Sequence, residues 1–153
     1  MMQIIFNVVG DPKGKGRPRF SRFGKFTKVY TDQQTFDYET AIGISASQAM
    51  GSSKPIETPV AVFLYIRLPV PPSYSKKRTE ACLSGLEHPT KKPDIDNVAK
   101  AFLDAMNGII YKDDTQVIQL HVNKVYAKEA GVDVMVKEIL RKSNETRTSR
   151  TGN

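Results

Sequence analysis

Cysteine, histidine and tryptophan are scarce in this sequence, and their scarcity excludes several kinds of site. The 153 residues include one cysteine, two histidines and no tryptophan. A single cysteine cannot form an internal disulfide and is typical of proteins from reducing compartments. Nothing near Cys82 suggests a base that would activate its thiol, so we expect a small buried or half-exposed side chain. His88 and His121 are expected to be structural or surface residues rather than ligands.

Long apolar runs are also missing. No stretch approaches the roughly 20 apolar residues that a membrane-spanning helix needs. The start, MMQIIFNVVGDPKGKGR, has no basic region ahead of its short apolar run, so it does not resemble a secretory signal. The composition, with 39% hydrophobic and 25% charged residues, is typical of a soluble globular protein. The length predicts one domain, and we expect no contact with a membrane.

Acidic residues are absent from residues 13–28, KGKGRPRFSRFGKFTK, where seven basic residues lie. The net charge of the chain is +7, so this segment carries the whole excess. Such a segment binds polyanions by releasing condensed counterions, and phenylalanines between the charges offer flat surfaces for bases. The alternative is a solvated loop. The candidates for nucleic-acid contact are Lys13, Lys15, Arg17, Arg19, Arg22, Lys25, Phe20 and Phe23.

Hydrophobic periodicity predicts one domain over residues 1–140. Glycines and prolines make 10–30 a long loop or loose hairpin. The predicted strands are 3–9, 60–68, a short one at 108–111, 116–127 and 131–140, and the predicted helices are 33–50, 73–84 and 96–107. The last two strands are expected to pair antiparallel. This order favours a small α/β (α+β) fold with a mixed or antiparallel sheet and helices on one face. The polar tail, 141–153, is expected to be disordered.

The ends and faces of the first long helix follow from its sequence. Thr31 and Asp32 are N-cap candidates, and Gly51 marks the end of the helix. The residues expected to share its apolar face are Phe36, Ala41, Ile42 and Ile44, with Tyr38 at the edge.

Acidic residues gather instead at 91–117, KKPDIDNVAKAFLDAMNGIIYKDDTQV, which contains five aspartates. Asp94 and Asp96 are one residue apart, and in an extended segment this spacing points both carboxylates to the same side. Lys100 lies one helical turn beyond Asp96 and shares its face. The following helix is about 18 Å long, and an extended return at about 3.3 Å per residue can bring the aspartate pair at 113–114 back beside the helix start.

These lengths permit a site of three or four carboxylates around a divalent cation. Mg²⁺ prefers hard oxygen ligands and is usually held by one or two carboxylates with water and phosphate. In the alternative interpretation, Asp94 and Asp96 only cap a helix, Lys100 and Asp104 form a surface ion pair, and 113–114 is a turn. A basic segment beside metal-binding acids is the usual division of labour in metal-dependent nucleases, so the combination favours catalysis.

The chain then resembles a known family. The joint pattern K-P-D-x-D-N-x-x-K, D-x-x-N-G and D-D-x-Q-V, within residues 92–117, resembles the signature of the RusA-type Holliday junction resolvases. These are small endodeoxyribonucleases of bacteria and their phages. The stretch GDPKGKGRPRFSRFGKFTKVYT also resembles the amino-terminal region of that family. The likeness therefore extends over about residues 1–140.

The resemblance implies a small α/β homodimer that binds four-way DNA junctions. It implies paired, symmetric cuts that depend on Mg²⁺, with Mn²⁺ able to substitute, in recombination and repair in the bacterial cytoplasm. It also implies that Asp94, Asp96 and Asp114 are the essential aspartates and metal ligands, Lys100 the essential lysine, and Asp113 and Asn97 supporting residues.

Two other functions stay open at the level of the sequence. One is a less selective metal-dependent nuclease that acts on flaps, forks or single strands. The other is a nucleic-acid-binding module without catalysis, whose acids serve as caps and turns. A calcium loop is excluded because the glycine and final glutamate of that motif are missing.

Overall fold

The architecture is a four-stranded mixed sheet with helices on one face. The computed structural model describes residues 1–16, 19–24, 26–30 and 32–141, and within 19–30 it describes only the side chains of Arg22 and Thr27. The elements are β1 (Gln3–Val9), β2 (Arg19–Phe23), β3 (Phe26–Tyr30), α1 (Gln33–Met50), β4 (Val60–Pro69), α2 (Lys76–Leu83), α3 (Ile95–Met106), a short 3-10 helix (Asp114–Gln116), β5 (Val117–Ala127) and β6 (Gly131–Glu138). The predicted α/β (α+β) fold class is confirmed. Beyond Arg141, the predicted tail lies outside the described residues.

The sheet has the strand order β1-β6-β4-β5. Strand β6 pairs antiparallel with both β1 and β4, while β4 and β5 run parallel. The sequence of β4, VAVFLYIRLP, is almost continuously apolar, which suits a strand with a neighbour on each side. Strands β2 and β3 form a separate antiparallel hairpin with Gly24 in its turn. That hairpin lies where the sequence predicts a long loop or loose hairpin.

The core lies between one face of the sheet and the helices α1 and α3. Burial of these apolar side chains is the main favourable contribution to folding. The Tyr38 and Phe102 rings join the two helices edge to face, with their centroids 5.9 Å apart. The buried strand residues include Val60, Val62, Leu64, Ile66, Val132, Val134 and Val136, and the buried helix residues include Ile42, Met50, Val98, Phe102 and Met106.

Side-chain caps and a glycine set the ends of the helices. Asp32 accepts a hydrogen bond from the Thr35 amide and starts α1, and Gly51, with φ 57°, ends it. Ser75 accepts from the Arg78 amide and starts α2. The predicted bounds of α1 are confirmed, and α2 is shorter than predicted. In the described ranges, no helix combines the length and apolar content needed to cross a bilayer.

The predicted pairing of the last two strands is wrong. Strand β5 pairs with β4, and β6 lies on the other side of β4, between β4 and β1. The short connection between β5 and β6 predicts that they are neighbours, but in the structure they lie on opposite sides of β4. The reason is burial: alternate residues of β6 are fully buried, while β5 exposes Ile118 and Leu120 and occupies the edge of the sheet.

Two smaller expectations are also wrong. Residues 108–111 form a turn with isolated bridges instead of a strand, because Ile110 and Tyr111 bury their side chains in the core. In α1, Phe36 and Ile44 are exposed. The buried residues of this helix are Thr35, Tyr38, Ile42, Ala46 and Met50, a narrower stripe that repeats every three or four residues.

Candidate active site

A lysine of β5 fixes the segment that leads into α3. The Lys124 ammonium donates hydrogen bonds to the carbonyl oxygens of Lys91 at 2.8 Å and Pro93 at 3.1 Å. These bonds hold the chain against the sheet immediately before Asp94, which is the N-cap residue of α3. The position of the first acidic residue is therefore set by the sheet as well as by the helix.

Asp94 and Asp96 present exposed carboxylates at the N-terminus of α3. Asp94 has the extended backbone of an N-cap residue, yet its side chain makes no capping hydrogen bond to the described first turn. Asp96 lies within that turn, where the positive end of the helix favours a carboxylate. The interpretation of Asp94 as a capping side chain is therefore not supported, and its carboxylate is available to a ligand.

Lys100 and Asp104 continue along α3 but form only a loose ion pair. The Lys100 side chain is 64% exposed, and its Nζ lies 4.0 Å from Asp104 Oδ2. The same oxygen lies 2.5 Å from Lys15 Nζ. Asp104 is therefore bound mainly by Lys15, and the Lys100 ammonium is open to solvent.

The adjacent aspartates 113 and 114 differ in environment. Asp113 caps the 3-10 helix, in a reciprocal arrangement with Gln116. The Asp114 carboxyl contacts that of Asp113, and this hydrogen bond, burial and the negative charges of Asp113 and Asp104 raise the pKa of Asp114. The positive charge of Lys100 acts in the opposite direction on that pKa. The structure thus brings Asp114 within electrostatic reach of Lys100 and Asp104.

The segment Gly14-Lys15-Gly16 passes closely over the starts of α1 and α3. The Lys15 amide donates to the Asn97 carbonyl oxygen at 3.0 Å. A Cβ on Gly14 would lie 2.9 Å from the Asn97 Cβ, and one on Gly16 would lie 1.9 Å from Asp32 Oδ2. A methyl group at either position would therefore displace the segment or its neighbour, which is Asn97 at Gly14 and the capping side chain of Asp32 at Gly16.

The side chain of Lys15 joins the two helices. Its ammonium lies 2.9 Å from Glu39 Oε1 on α1 and 2.5 Å from Asp104 Oδ2 on α3. Burial acts to lower the pKa of Lys15, but the hydrogen bonds and charges of Asp104 and Glu39 outweigh it and raise that pKa. Lys13, two residues earlier, is exposed. The first two lysines of the basic segment thus have different surroundings.

The other candidates for nucleic-acid contact are only partly described. Arg22 is exposed on β2. Arg17 and Lys25 lie outside the described residues. For Arg19, Phe20 and Phe23 the description covers the backbone alone, within β2.

The donor chemistry of the three candidate aspartates fits a hard divalent cation. Asp94, Asp96 and Asp114 supply oxygen atoms only, and the negative charge crowded around Asp114 is what a cation would relieve. In the described part of the chain, no three acidic, histidine or cysteine side chains lie together as a metal cluster. Mg²⁺ commonly takes one or two carboxylates and completes its shell with water and substrate phosphate. The residues present fit that mode of binding.

Two residues of this region carry roles that the sequence interpretation missed. Lys124 falls on the face of β5 that also carries Leu120 and Val122, and a lysine in such an apolar row could have indicated a hydrogen-bonding role for its ammonium. Glu39 gives no comparable signal, because its partner Lys15 is 24 residues away and meets it only in the folded chain.

The cysteine is buried and both histidines lie at the surface, as the sequence predicts. Cys82 is buried, and burial raises the pKa of its thiol. His121 lies on the sheet surface and stacks on Phe63 with ring centroids 4.6 Å apart. His88 is exposed in the loop after α2.

Comparison with known proteins agrees with the resemblance found in the motifs. A family model described as "Endodeoxyribonuclease RusA" matches residues 10–137. The chain is also 40% identical over 139 residues to "Uncharacterized protein YqaN" of Bacillus subtilis (strain 168), and the match covers 89% of this chain and 96% of that protein. The matched residues include every candidate site residue from Lys13 to Asp114.

Proposed function

Because the chain belongs to the RusA family of endodeoxyribonucleases, we propose that it resolves four-way DNA junctions by metal-dependent hydrolysis of phosphodiester bonds. The observation that supports this best is at the start of α3. There the carboxylates of Asp94 and Asp96 are exposed and Asp94 is not used as a side-chain cap, while Lys100 follows one turn later. The proposed setting is recombination and repair in the bacterial cytoplasm.

The proposed metal ligands are Asp94, Asp96 and Asp114, with Mg²⁺ as the ion and Mn²⁺ as a substitute. When bound, the ion supplies an activated water and offsets charge on the phosphate. Asp94 and Asp96 present their carboxylates at the N-terminus of α3, where the positive end of the helix favours negative charge. Asp114, in the 3-10 helix that leads into β5, would supply the third ligand, and the negative charges of Asp113 and Asp104 act on it.

Lys100 is proposed to act on the phosphate directly. Its ammonium is exposed and only loosely paired with Asp104. A positive charge placed there stabilises the negative charge that develops on the phosphate oxygens during attack. Asn97 and Asp113 support this arrangement through the first turn of α3 and the cap of the 3-10 helix.

The basic segment is proposed to hold the DNA backbone. Lys13 and Arg22 are exposed where the structure describes them. They would contact phosphates with Arg17, Arg19 and Lys25, while phenylalanines of the hairpin stack on or wedge between bases at the junction. These contacts give affinity that falls steeply with salt concentration.

Paired incisions require two active sites, so we propose that the protein acts as a homodimer through the open face of the sheet. This face lies opposite the helices. Cross-strand neighbours Ile5, Met135, Phe63 and His121 form a row across it. The row lines a shallow depression of about 360 Å³. A central region without unpaired charge is typical of protein interfaces.

The size and charge of the open face suit a second copy of the chain. Four strands about 4.8 Å apart, with about eight residues each at about 3.3 Å, present about 500 Å² per copy. Two copies would bury about 1,000 Å², near the lower end for specific interfaces. Near its rim, Arg67 and Asp133 already neutralise each other, with Nε–Oδ2 at 3.1 Å.

Cleavage of a synthetic four-way junction tests the proposal. With Mg²⁺ we expect paired cuts on two opposing strands, and with a chelator we expect none. Mapping the cuts on all four strands distinguishes paired from random incision. Equal cleavage of a linear duplex or a flap would instead favour the less selective nuclease.

The variant Asp94→Asn provides the matched test of the site. We expect it to bind the junction but to cut at least 100-fold more slowly, because one metal ligand has lost its charge. The exposed Asp37 on α1, which accepts a hydrogen bond from Gln33, supplies the control, since Asp37→Asn removes a carboxylate that is not among the proposed ligands. An Asp94→Asn protein that cuts as fast as the parent would contradict catalysis at this site and favour a binding module.

A further inference from the structure

Lys15 differs from the other described lysine of the basic segment in having a fixed place inside the protein. Its side chain is 23% exposed and lies between Glu39 and Asp104. Lys13 is exposed in the same segment. Because the Lys15 ammonium is paired with two carboxylates, it is poorly available to bind a DNA phosphate. Its role must therefore be sought in what it does to those carboxylates.

The backbone around Lys15 is as tightly held as its side chain. The Lys15 amide donates to Asn97 of α3, and the Gly16 amide donates to Thr35 Oγ1 of α1 at 2.7 Å. The glycine on each side allows the segment to touch both helices. These contacts fix the point from which the Lys15 side chain extends toward Asp104.

Asp104 lies between Lys15 and Lys100. If Asp104 pairs with Lys15, the Lys100 ammonium is left free to bind another group. Asp104 Oδ2 lies 2.5 Å from Lys15 Nζ and 4.0 Å from Lys100 Nζ. Lys100 and Asp104 are four residues apart on one helix, a spacing that allows a direct ion pair. Lys15 therefore competes with Lys100 for the same carboxylate, and in the structure it holds the closer contact.

We propose that Lys15 is a positioning residue that binds Asp104 and so leaves the Lys100 ammonium free to act on the scissile phosphate. This inference rests on the proposed function of Lys100. Without Lys15, the uncompensated Asp104 carboxylate turns to Lys100 and forms the direct ion pair. Lys100 is then withdrawn from the phosphate.

Steady-state cleavage by Lys15→Met separates this role from DNA contact. We expect kcat to fall about tenfold while KM for the junction changes less than twofold. Lys13→Met is the matched comparison: as a DNA contact it should raise KM, retain kcat and reduce the slope of log affinity against log salt by about one. A Lys15→Met protein that behaves like Lys13→Met would overturn the proposal.

A double-mutant cycle with Asp104→Asn tests the mechanism itself. If Asp104 captures Lys100 in the absence of Lys15, removing the Asp104 charge cancels the effect. In the Asp104→Asn background, we therefore expect Lys15→Met to change kcat less than twofold. An unchanged tenfold loss in that background contradicts the competition. Lys15→Arg keeps the positive charge and should therefore retain most of kcat. This variant shows that the loss in Lys15→Met comes from the missing charge and not from misfolding.

Chemical labelling reads the position of Lys100 without any cleavage assay. Limited acetylation followed by mass spectrometry reports how available each ammonium is. In Lys15→Met we expect acetylation of Lys100 to slow several-fold, while the exposed Lys128 is unchanged. Equal labelling of Lys100 in both proteins overturns the proposal. If the unsubstituted protein cuts no branched DNA, the proposed function is wrong. The labelling result still shows whether Lys15 keeps Lys100 free, because it does not depend on cleavage.

Discussion

Two neighbouring aspartates illustrate how the same residue type takes different roles. Asp113 uses its carboxylate as the cap of the 3-10 helix, and Gln116 reciprocates. Asp114, the next residue, has no such role in that cap and instead faces the charges of Asp104 and Lys100. Asp113 therefore has a structural role in the cap, and Asp114 is the better candidate for the chemistry.

This difference predicts unequal effects of removing the two charges. Asparagine is as good an N-cap as aspartate, so Asp113→Asn should keep the fold and retain cleavage within about tenfold. Asp114→Asn should reduce cleavage at least 100-fold, because it removes a proposed metal ligand. Single-turnover cleavage of the junction, with thermal unfolding of each variant, makes the comparison. Equal loss in both variants would contradict the assignment.

At the scale of elements, the Gly14–Gly16 segment packs on both α1 and α3. The segment makes backbone hydrogen bonds to Asn97 and side-chain contacts to Glu39 and Asp104. The segment that precedes the basic hairpin is therefore anchored to both helices.

The close approach at Gly16 predicts a large cost for a single methyl group. A Cβ there would lie 1.9 Å from Asp32 Oδ2, so Gly16→Ala must displace the segment or the cap of α1. We expect a loss of about 2–3 kcal/mol in unfolding free energy, by analogy with overpacking, and weaker junction cleavage. Denaturant unfolding measures the first.

Gly43 on α1 is the control for that substitution. A Cβ at Gly43 would meet Ile109 Cδ1 at 3.6 Å, an ordinary contact. Because alanine is favoured over glycine inside helices by about 1 kcal/mol, Gly43→Ala should be neutral or stabilising. If both alanines destabilise equally, the steric argument at Gly16 fails.

Glu138 on β6 contacts the segments that lead into β1 and β4, and its lowered pKa predicts that stability depends on pH. Its carboxylate accepts from the Met2 amide and the Thr58 hydroxyl, each at 3.0 Å. The Met2 hydrogen bond first, and then that from Thr58, lower the pKa of Glu138 below 4.5. A lowered pKa stabilises the fold above the unfolded-state value, and the gain is lost as pH falls through the folded value.

Glu138→Gln should therefore be less stable than the parent at neutral pH, and the gap should close as the pH falls below about 4.5. Thermal unfolding between pH 3 and pH 7 measures the gap. The exposed Glu80 on α2 offers the control for loss of a negative charge, as Glu80→Gln. A gap at Glu138 that stays constant over this range would rule out the ionic contribution.

At the scale of the whole molecule, the two faces of the sheet have different tasks. One face is sealed by α1 and α3 and carries the core. The other is left open by the described residues and presents Ile5, Phe63, Tyr65 and Met135, which are exposed or half-buried. A second copy on this face would give the assembly two active sites related by a two-fold axis, matching the symmetry of a four-way junction.

A charge placed on the open face should dissociate the assembly. Tyr65 is 46% exposed there, and Tyr65→Glu would bury two unpaired carboxylates near each other in a symmetric interface. We expect a monomer by analytical ultracentrifugation and a loss of paired cuts. Ile44 on α1 is 56% exposed on the helical side, so Ile44→Glu should leave the dimer intact. The reverse pattern would move the interface to the helices.

The sequence by itself determined the main helices and strands, the fold class and the acidic motif, although it wrongly predicted a strand at 108–111. Local signals suffice for these, because caps, glycines and hydrophobic periods act within a few residues. The bounds of β1 and α1 were predictable from such signals, as was the end of α3 before Gly108. The motif around Asp94 and Lys100 was likewise visible without a structure.

Only the tertiary structure decided which distant residues meet. The place of β6 between β1 and β4, the hold of Lys124 on the segment before Asp94, and the capture of Asp104 by Lys15 all join residues far apart in the chain. Such contacts depend on how whole elements pack, so no local pattern encodes them. That is why the basic segment looked uniform as a sequence, while in the folded protein one of its lysines is turned inward against two carboxylates.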